Sequence, residues 1–112
     1  MSDLSYSDFL KVDIRVGTVL RAEENNDLIK PSIILEIDFG QQIGIKKSSA
    51  QLQANYKSKD LINKQIAAVI NFPPKQIGKV ISEVLVLGFP DNQNEPILVS
   101  PDYKIKNGGR LY

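Results

Sequence analysis

The residues best suited to bind an acidic ligand are concentrated in the middle of the chain. Residues 46–79 contain seven Lys and one Asp, a balance of +6, although the formal net charge of the whole chain is only +1. The flanking segments, residues 1–45 and 80–112, carry more acidic than basic side chains. Such a segment is typical of an ordinary solvated surface, but it can also form an electropositive face for phosphates or acidic partners.

Other side chains near this segment could contribute to binding. The Ser48 and Ser49 hydroxyls could donate hydrogen bonds to a peptide backbone or a phosphate. Ser48 is also followed three residues later by Gln51, a pattern typical of a helix capping box. Phe72 could offer a stacking surface or plug one end of a barrel. Aromatic residues make up only 7% of the chain, which argues mildly against binding of nucleic acid through base stacking.

Catalytic chemistry finds little support. The chain contains no His and no Cys, which removes the commonest general base and the commonest ligands of zinc, copper and iron. The carboxylates of Asp13, Glu36, Asp38 and Glu83 fall on predicted strands, but their spacing indicates neither an acid–base pair nor a metal site. We therefore predict a binding protein that is not an enzyme and that uses no metal and no cofactor.

The length of 112 residues suits one domain with a modest core, and we interpret residues 1–112 as a single domain. The start, residues 1–13, lacks the basic opening and apolar stretch of a signal peptide. No run approaches the ~18 apolar residues of a membrane span. We therefore expect a cytoplasmic protein that does not insert into a membrane.

Apolar alternation predicts a small β-barrel. Ser5 followed by Asp8 predicts a short capped helix at about Tyr6–Leu10, and Gly17 suggests a bulge or bend in a long first strand. The predicted strands cover residues 12–24, 32–39, 42–46, 65–71 and 80–87, with a helix from Ser48 to Leu52 or Ala54, a loop at 88–96 and a tail strand at 97–99. Five strands with a helix between the third and fourth is the plan of the OB fold, and a different small barrel is the main competitor.

The same alternation predicts the core. In the second strand every other residue is apolar, which points Ile33, Leu35, Ile37 and Phe39 inward. Tyr56 and Leu61 are expected to cover the open end of the barrel. The fold class is therefore all-β, a five-stranded OB-fold barrel with a short N-terminal helix, a short helix between strands 3 and 4, and C-terminal dimerisation strands.

Several long segments resemble one family. Residues 9–19, FLKVDIRVGTV, resemble the opening of the tRNA-binding-type OB domain, which occurs as a free homodimer and as an appendage of methionyl- and phenylalanyl-tRNA synthetases. Within that family, further segments are similar to the secretion chaperones of the CsaA type. They are IDFG (37–40), IGIKKSSAQ (43–51), residues 61–88, and the ending with Pro101 and Asn107-Gly108.

The resemblance implies a homodimeric cytoplasmic chaperone that binds unfolded or precursor polypeptides, without ATP, and assists their export. The secretion ATPase SecA is a further implied partner. An ancestral tRNA-binding surface is also implied, so the alternative is a tRNA- or RNA-binding protein that uses the same basic face. The tRNA-binding members typically read S-x-G-M on the fifth strand, where this chain has Ser82-Glu83-Val84-Leu85. Glu83 would repel phosphates and therefore favours the chaperone interpretation.

Two sets of candidate residues follow from the pattern and the resemblance together. The candidate peptide- or RNA-binding residues are Lys46, Lys47, Ser48, Ser49, Asn71, Phe72, Lys75, Lys79, Ser82, Glu83 and Val84. The N-terminal helix and the apolar tail are expected to form the dimer interface, because short exposed tail strands need covering. The candidate dimer residues are Phe9, Ile97, Val99, Tyr103, Ile105 and Leu111.

Overall fold

The protein is built almost entirely from β-strands. The computed structural model describes residues 2–112. The two helices are α1, Tyr6–Phe9, and α2, Ser58–Leu61. The strands are β1 (Ile14–Asn25), β2 (Ser32–Asp38), β3 (Ile45–Ala50), β4 (Gln65–Val69), β5 (Lys75–Ile77), β6 (Val80–Ser82), β7 (Leu85–Val86), β8 (Gly88–Pro90) and β9 (Pro96–Leu98). Over the described part of the chain, no helix is both long and apolar enough to cross a membrane.

Five strands form one antiparallel sheet in the order β3-β2-β1-β4-β7. The long strand β1 pairs with β4 through residues 14–18 and with β2 through residues 18–25, so it serves both halves of the sheet. Two hairpins, β5-β6 and β8-β9, complete the fold. This curled five-stranded sheet agrees with an OB-like fold and confirms the predicted all-β class.

The core forms where the predicted alternation of β2 places it. Ile33, Leu35 and Ile37 are fully buried, and Phe39 directly after the strand is 1% exposed. At the end of the barrel, Leu61 of α2 is fully buried and packs with them, as predicted. The predicted cap of α1 is also confirmed, because the Ser5 hydroxyl accepts a hydrogen bond from the Asp8 amide at 3.1 Å.

The predicted short helix between strands 3 and 4 is confirmed, but the predicted bounds of the third strand and of that helix are wrong. The strand runs from Ile45 to Ala50 rather than over residues 42–46, and Ser48 lies inside it, opposite Leu35. The helix between β3 and β4 is α2, ten residues beyond the predicted start at Ser48. A capping pattern is local and weak, so it gives way to pairing along the whole of β2.

The predicted strand over residues 80–87 is interrupted. Residues 80–82 form β6 in a hairpin with β5, whereas residues 85–86 form β7 beside β4. The chain changes partner at Glu83 and Val84, which the alternating pattern does not reveal. The predicted loop at 88–96 similarly contains most of the β8-β9 hairpin.

The irregularity in β1 also lies elsewhere than predicted. Gly17 pairs regularly with Ile66 of β4, and the register shifts instead between Val19 and Arg21. Gly17 is required for a different reason. A Cβ at this position would lie 2.6 Å from Ile37 Cγ2 and 2.8 Å from the Phe39 ring, so β1 passes directly against the core.

The C-terminal tail is held against the sheet by polar side chains. The buried Gln65 side chain donates to the Ile105 carbonyl at 2.6 Å and accepts from the Ile105 amide at 2.9 Å. The Asn107 side-chain oxygen accepts hydrogen bonds from the Gln65 side-chain nitrogen and from the Thr18 hydroxyl. The backbone at Gly108 and Gly109 then bonds to Val16 of β1. The tail is therefore a fixed part of the surface.

Replacement of Gly17 by Ala should destabilise the protein by about 2 kcal/mol, because the new methyl group overpacks the core around Ile37 and Phe39. Urea denaturation would measure the loss. Gly109→Ala is the matched control, since the nearest atom to its Cβ would be Val16 Cγ1 at an ordinary 3.7 Å. Equal stability of the two variants would contradict the close packing of β1 on the core.

Candidate ligand-binding groove

A groove of about 510 Å³ lies between β3 and the chain from Ser82 to Gly88. Its floor is apolar, because the buried side chains of Leu52, Val84 and Leu98 reach it from the core. Phe72, which is 54% exposed, and Pro73 form part of its wall. A cleft of this size with an apolar floor and a few polar groups is the usual form of a ligand site.

At one end of the groove, Ser82 and Glu83 form the hydrogen bonds to β3 that a neighbouring strand would otherwise form. The Glu83 amide donates to the Lys47 carbonyl at 2.8 Å, and the Lys47 amide donates to Glu83 Oε1 at 2.9 Å. Next along β3, the Ser49 amide donates to the Ser82 hydroxyl oxygen at 3.1 Å. The Ser82 hydroxyl itself donates to the Val84 carbonyl at 3.3 Å. Two residues therefore satisfy the outer edge of β3 up to Ser49.

β3 ends at Ala50, one residue beyond Ser49, and the Leu52 amide donates to the Ala50 carbonyl at 2.9 Å. Among residues 2–112 the intervening Gln51 amide forms no hydrogen bond. β3 pairs with β2 on its inner side, and among residues 2–112 no ladder joins β3 to β7 across the groove. Unpaired backbone groups on a strand edge can pair with an added extended chain. The groove therefore combines a strand edge with an apolar floor, which is the arrangement that recognises extended peptides.

The lysines of the basic segment are spread over more than one surface. Lys75 of β5 lines the groove, whereas Lys46, Lys47 and Lys79 lie outside its lining. None of these four has a carboxylate within ion-pair distance in the part of the chain described. The groove also contains Lys30, but the Lys30 ammonium lies 2.7 Å from a Glu95 carboxylate oxygen, which offsets its charge. The rim of the groove is therefore only weakly cationic.

Most of the predicted binding residues are brought together, although they come from distant parts of the chain. The groove lining includes Ser48, Ser49, Phe72, Lys75, Ser82, Glu83 and Val84. Ser48 is only 1% exposed, so it contributes little hydrogen-bonding surface. Half-exposed Phe72 lies on the groove wall rather than in the core, so it does not act as a plug.

Asn71 has a different role from the one predicted for the binding residues around it. Its side-chain oxygen accepts from the Asp13 amide at 3.0 Å, and its side-chain nitrogen donates to the Lys11 carbonyl at 2.7 Å. It therefore fixes the connection between α1 and β1 to the end of β4. Groove residues outside the predicted set come from other strands and connections and include Lys30, Gln51, Leu52, Ile77, Leu87, Asn94, Pro96 and Leu98.

The β8-β9 turn, which brings Asn94 to the groove, is organised by Asp91. Hydrogen bonds from the Asn55 side chain and from the Glu95 and Gln93 amides hold the pKa of the Asp91 carboxyl below its usual range. The last two bonds are 2.9 and 2.8 Å long. Asn94 adopts a positive φ of 61°, which Asn tolerates well in tight turns. This part of the groove is therefore built by a defined turn.

A second, smaller depression of about 360 Å³ lies beside the tail. Three of the predicted dimer residues, Val99, Ile105 and Leu111, line it together with apolar side chains of β1 and β4. Of the other predicted dimer residues, Ile97 and Tyr103 are exposed elsewhere on the surface, and Phe9 is half-buried in α1. The tail therefore presents an apolar surface on the side of the sheet near the start of β1.

The fold and the groove can now be compared with known proteins. The model of a family described as "Putative tRNA binding domain" matches residues 14–110. The chain belongs to this family. It is 30% identical over 111 residues to a methionine–tRNA ligase of Pyrococcus horikoshii, and the match covers 99% of this chain but only 15% of the ligase. The family predicted from the sequence is thereby confirmed.

Two solved members of the chaperone group are similar over their whole length. The chaperone CsaA of Bacillus anthracis is 44% identical, with a TM-score of 0.92 and coverage of 99% of this chain and 100% of that one. The CsaA chaperone of Picrophilus torridus is 47% identical, with a TM-score of 0.89 and coverage of 98% and 100%. The matches of this tRNA-binding-family chain are thus to a binding domain and to chaperones, and not to a catalytic domain.

Proposed function

We propose that this protein is an export chaperone that binds unfolded or precursor polypeptides in the groove without ATP. The observation that carries the proposal is the end of β3 at Ser49–Ala50, which no ladder joins to β7 among the described residues, beside an apolar floor. The similarity to two proteins described as CsaA chaperones supports it. We further propose a cytoplasmic location, where such precursors arise, and the secretion ATPase SecA as a partner that receives them.

In this proposal an extended segment lies beside the end of β3 and pairs with free backbone groups between Ser49 and Gln51. Alternate side chains of the segment enter the apolar floor at Leu52, Val84 and Leu98, while Phe72 covers them from the wall. Each buried aliphatic side chain contributes about 1.5–3 kcal/mol, which must first offset several kcal/mol of association cost. Binding is therefore modest in affinity, and release is passive, by mass action.

The alternative function is binding of tRNA or other RNA. It is supported by the family of the domain and by the excess of Lys over Asp in residues 46–79. Against it stands the distribution of charge around the groove, where Lys75 is the only lining Lys without a carboxylate partner among the described residues. RNA affinity depends on several cations that follow a phosphate backbone, so we rank this function second.

Phe72→Ala should weaken binding of an unfolded precursor peptide about 10-fold without loss of stability, because the ring is half-exposed and lies on the groove wall. Phe89→Ala is the matched control, since Phe89 is 70% exposed and lies outside the groove. Fluorescence anisotropy with a labelled peptide measures both. Equal losses in the two variants would contradict the placement of the peptide in the groove.

The same titration at ~50 and ~300 mM salt separates the two functions. Peptide binding through apolar contacts should change little with salt, whereas tRNA binding should collapse because counterions are released when phosphates are neutralised. Tight, salt-sensitive binding of tRNA with no peptide binding would make the RNA function the correct one.

We also propose a homodimer formed through the depression beside the tail. Ile105→Lys should convert the dimer to a monomer, because the side chain is 48% exposed and a charge there would be buried in the interface. Ile45→Lys, at a residue 56% exposed and outside both depressions, is the control and should remain dimeric. Sedimentation equilibrium measures the mass. A monomeric unmodified protein would contradict the proposal.

A further inference from the structure

We propose that Glu83 is a specificity-determining residue whose carboxylate excludes polyanions such as RNA from the groove. This inference deepens the proposed function and rests on it, because it takes the groove as the ligand site. Glu83 is the one acidic side chain among the described residues that line the groove. Three properties suit this carboxylate to that role: its position is fixed, its charge is uncompensated, and it faces few cations.

The position is fixed by two hydrogen bonds to one residue of β3. The Glu83 amide donates to the Lys47 carbonyl, and Glu83 Oε1 accepts from the Lys47 amide at 2.9 Å. The backbone and the side chain of Glu83 therefore hold the same strand residue. A flexible surface glutamate could turn away from an approaching phosphate, but this one would lose its bond to the β3 edge if it did.

The charge is uncompensated. Within residues 2–112 no Lys or Arg nitrogen lies within ion-pair distance of the Glu83 carboxylate. Its partner is a neutral backbone amide, which does not cancel its charge. The second carboxylate oxygen has no hydrogen-bond partner in the described part of the chain, so it stays available to a ligand.

Few cations oppose this charge inside the groove. Lys30 is already paired with Glu95, which leaves Lys75 as the one lining cation without an ion-pair partner among residues 2–112. One free cation and one fixed anion give a local balance near zero, although the surrounding segment is strongly basic. An RNA strand that enters the groove gains little and brings a phosphate towards the carboxylate. A peptide has a neutral backbone, so the carboxylate does not repel it.

Two substitutions separate the charge of Glu83 from its hydrogen bond. Glu83→Gln removes the charge and keeps a carbonyl oxygen for the Lys47 amide, whereas Glu83→Asp keeps the charge on a shorter side chain. Glu23→Gln is the control for net charge, because Glu23 is exposed on β1 and lies outside the groove. The probes are a labelled 20-nucleotide oligouridylate and a labelled unfolded precursor peptide, with the melting temperature of each variant as a check on folding.

Glu83→Gln should bind the oligouridylate about 5- to 10-fold more tightly than the unmodified protein at ~50 mM salt and about 2-fold more tightly at ~300 mM. The slope of log affinity against log salt concentration should be steeper by about 0.7, as one added phosphate contact requires. Glu83→Asp and Glu23→Gln should stay close to the unmodified protein. Peptide binding should change less than 2-fold in Glu83→Gln.

The inference is overturned if Glu83→Gln gains no more RNA affinity than Glu23→Gln, or if Glu83→Asp gains as much as Glu83→Gln. The second result would assign the effect to the geometry of the hydrogen bonds between Glu83 and Lys47 rather than to the charge of Glu83. The peptide measurements distinguish failure of this inference from failure of the proposed chaperone function. If no variant binds peptide while Glu83→Gln alone gains RNA, the chaperone function fails and the role of Glu83 stands.

Discussion

The structure depends on the way the curled sheet is closed between β3 and the chain after β6. A five-stranded barrel must satisfy the outer edge of its third strand, and here two residues do so instead of a continuous strand. Ser82 and Glu83 accept hydrogen bonds from the Ser49 and Lys47 amides through side-chain oxygens. Among the described residues these side chains reach only those two amides, so closure stops at Ser49, and β3 itself ends at Ala50. The groove is a direct consequence of this incomplete closure.

The elements that the sequence predicts well are those in which one face is buried along the whole strand. The alternation in β2 was sufficient to predict the four core residues from Ile33 to Phe39, since a shift of one residue would expose all of them. The end of β3 was missed for the opposite reason. Its residues Lys46 to Ser49 are polar, so their strand conformation follows from pairing with β2 and not from their own pattern.

Part of the groove was also predicted from the sequence. The candidate residues at positions 48–49 and 82–84 belong to segments that resemble the family, and they do meet in space. Residues such as Lys30 and Asn94 reach the groove through turns whose placement depends on distant contacts, such as the ion pair with Glu95 and the hydrogen bonds to Asp91. Nothing in their local sequence indicates that they share a surface with β3.

The distribution of charge also shows why an excess of lysine does not by itself indicate a nucleic-acid site. The basic segment folds so that Lys46, Lys47 and Lys79 lie outside the groove lining, and the lining itself combines one free lysine with one fixed glutamate. The domain is shared with methionine–tRNA ligases, yet the groove lining of this chain carries little net charge and its floor is apolar. The fold therefore permits both kinds of ligand, and local chemistry decides between them.

The central claim is that polypeptide binds at the open edge of β3. The most direct measurement is a titration of isotopically labelled protein with an unfolded precursor peptide, followed by the NMR shifts of the backbone amides. The account predicts that the shifts cluster at residues 49–52 and 82–88 and that the amide of Gln51 becomes protected from hydrogen exchange. Shifts confined to the tail near Ile105 and Leu111, with residues 49–52 unchanged, would contradict it.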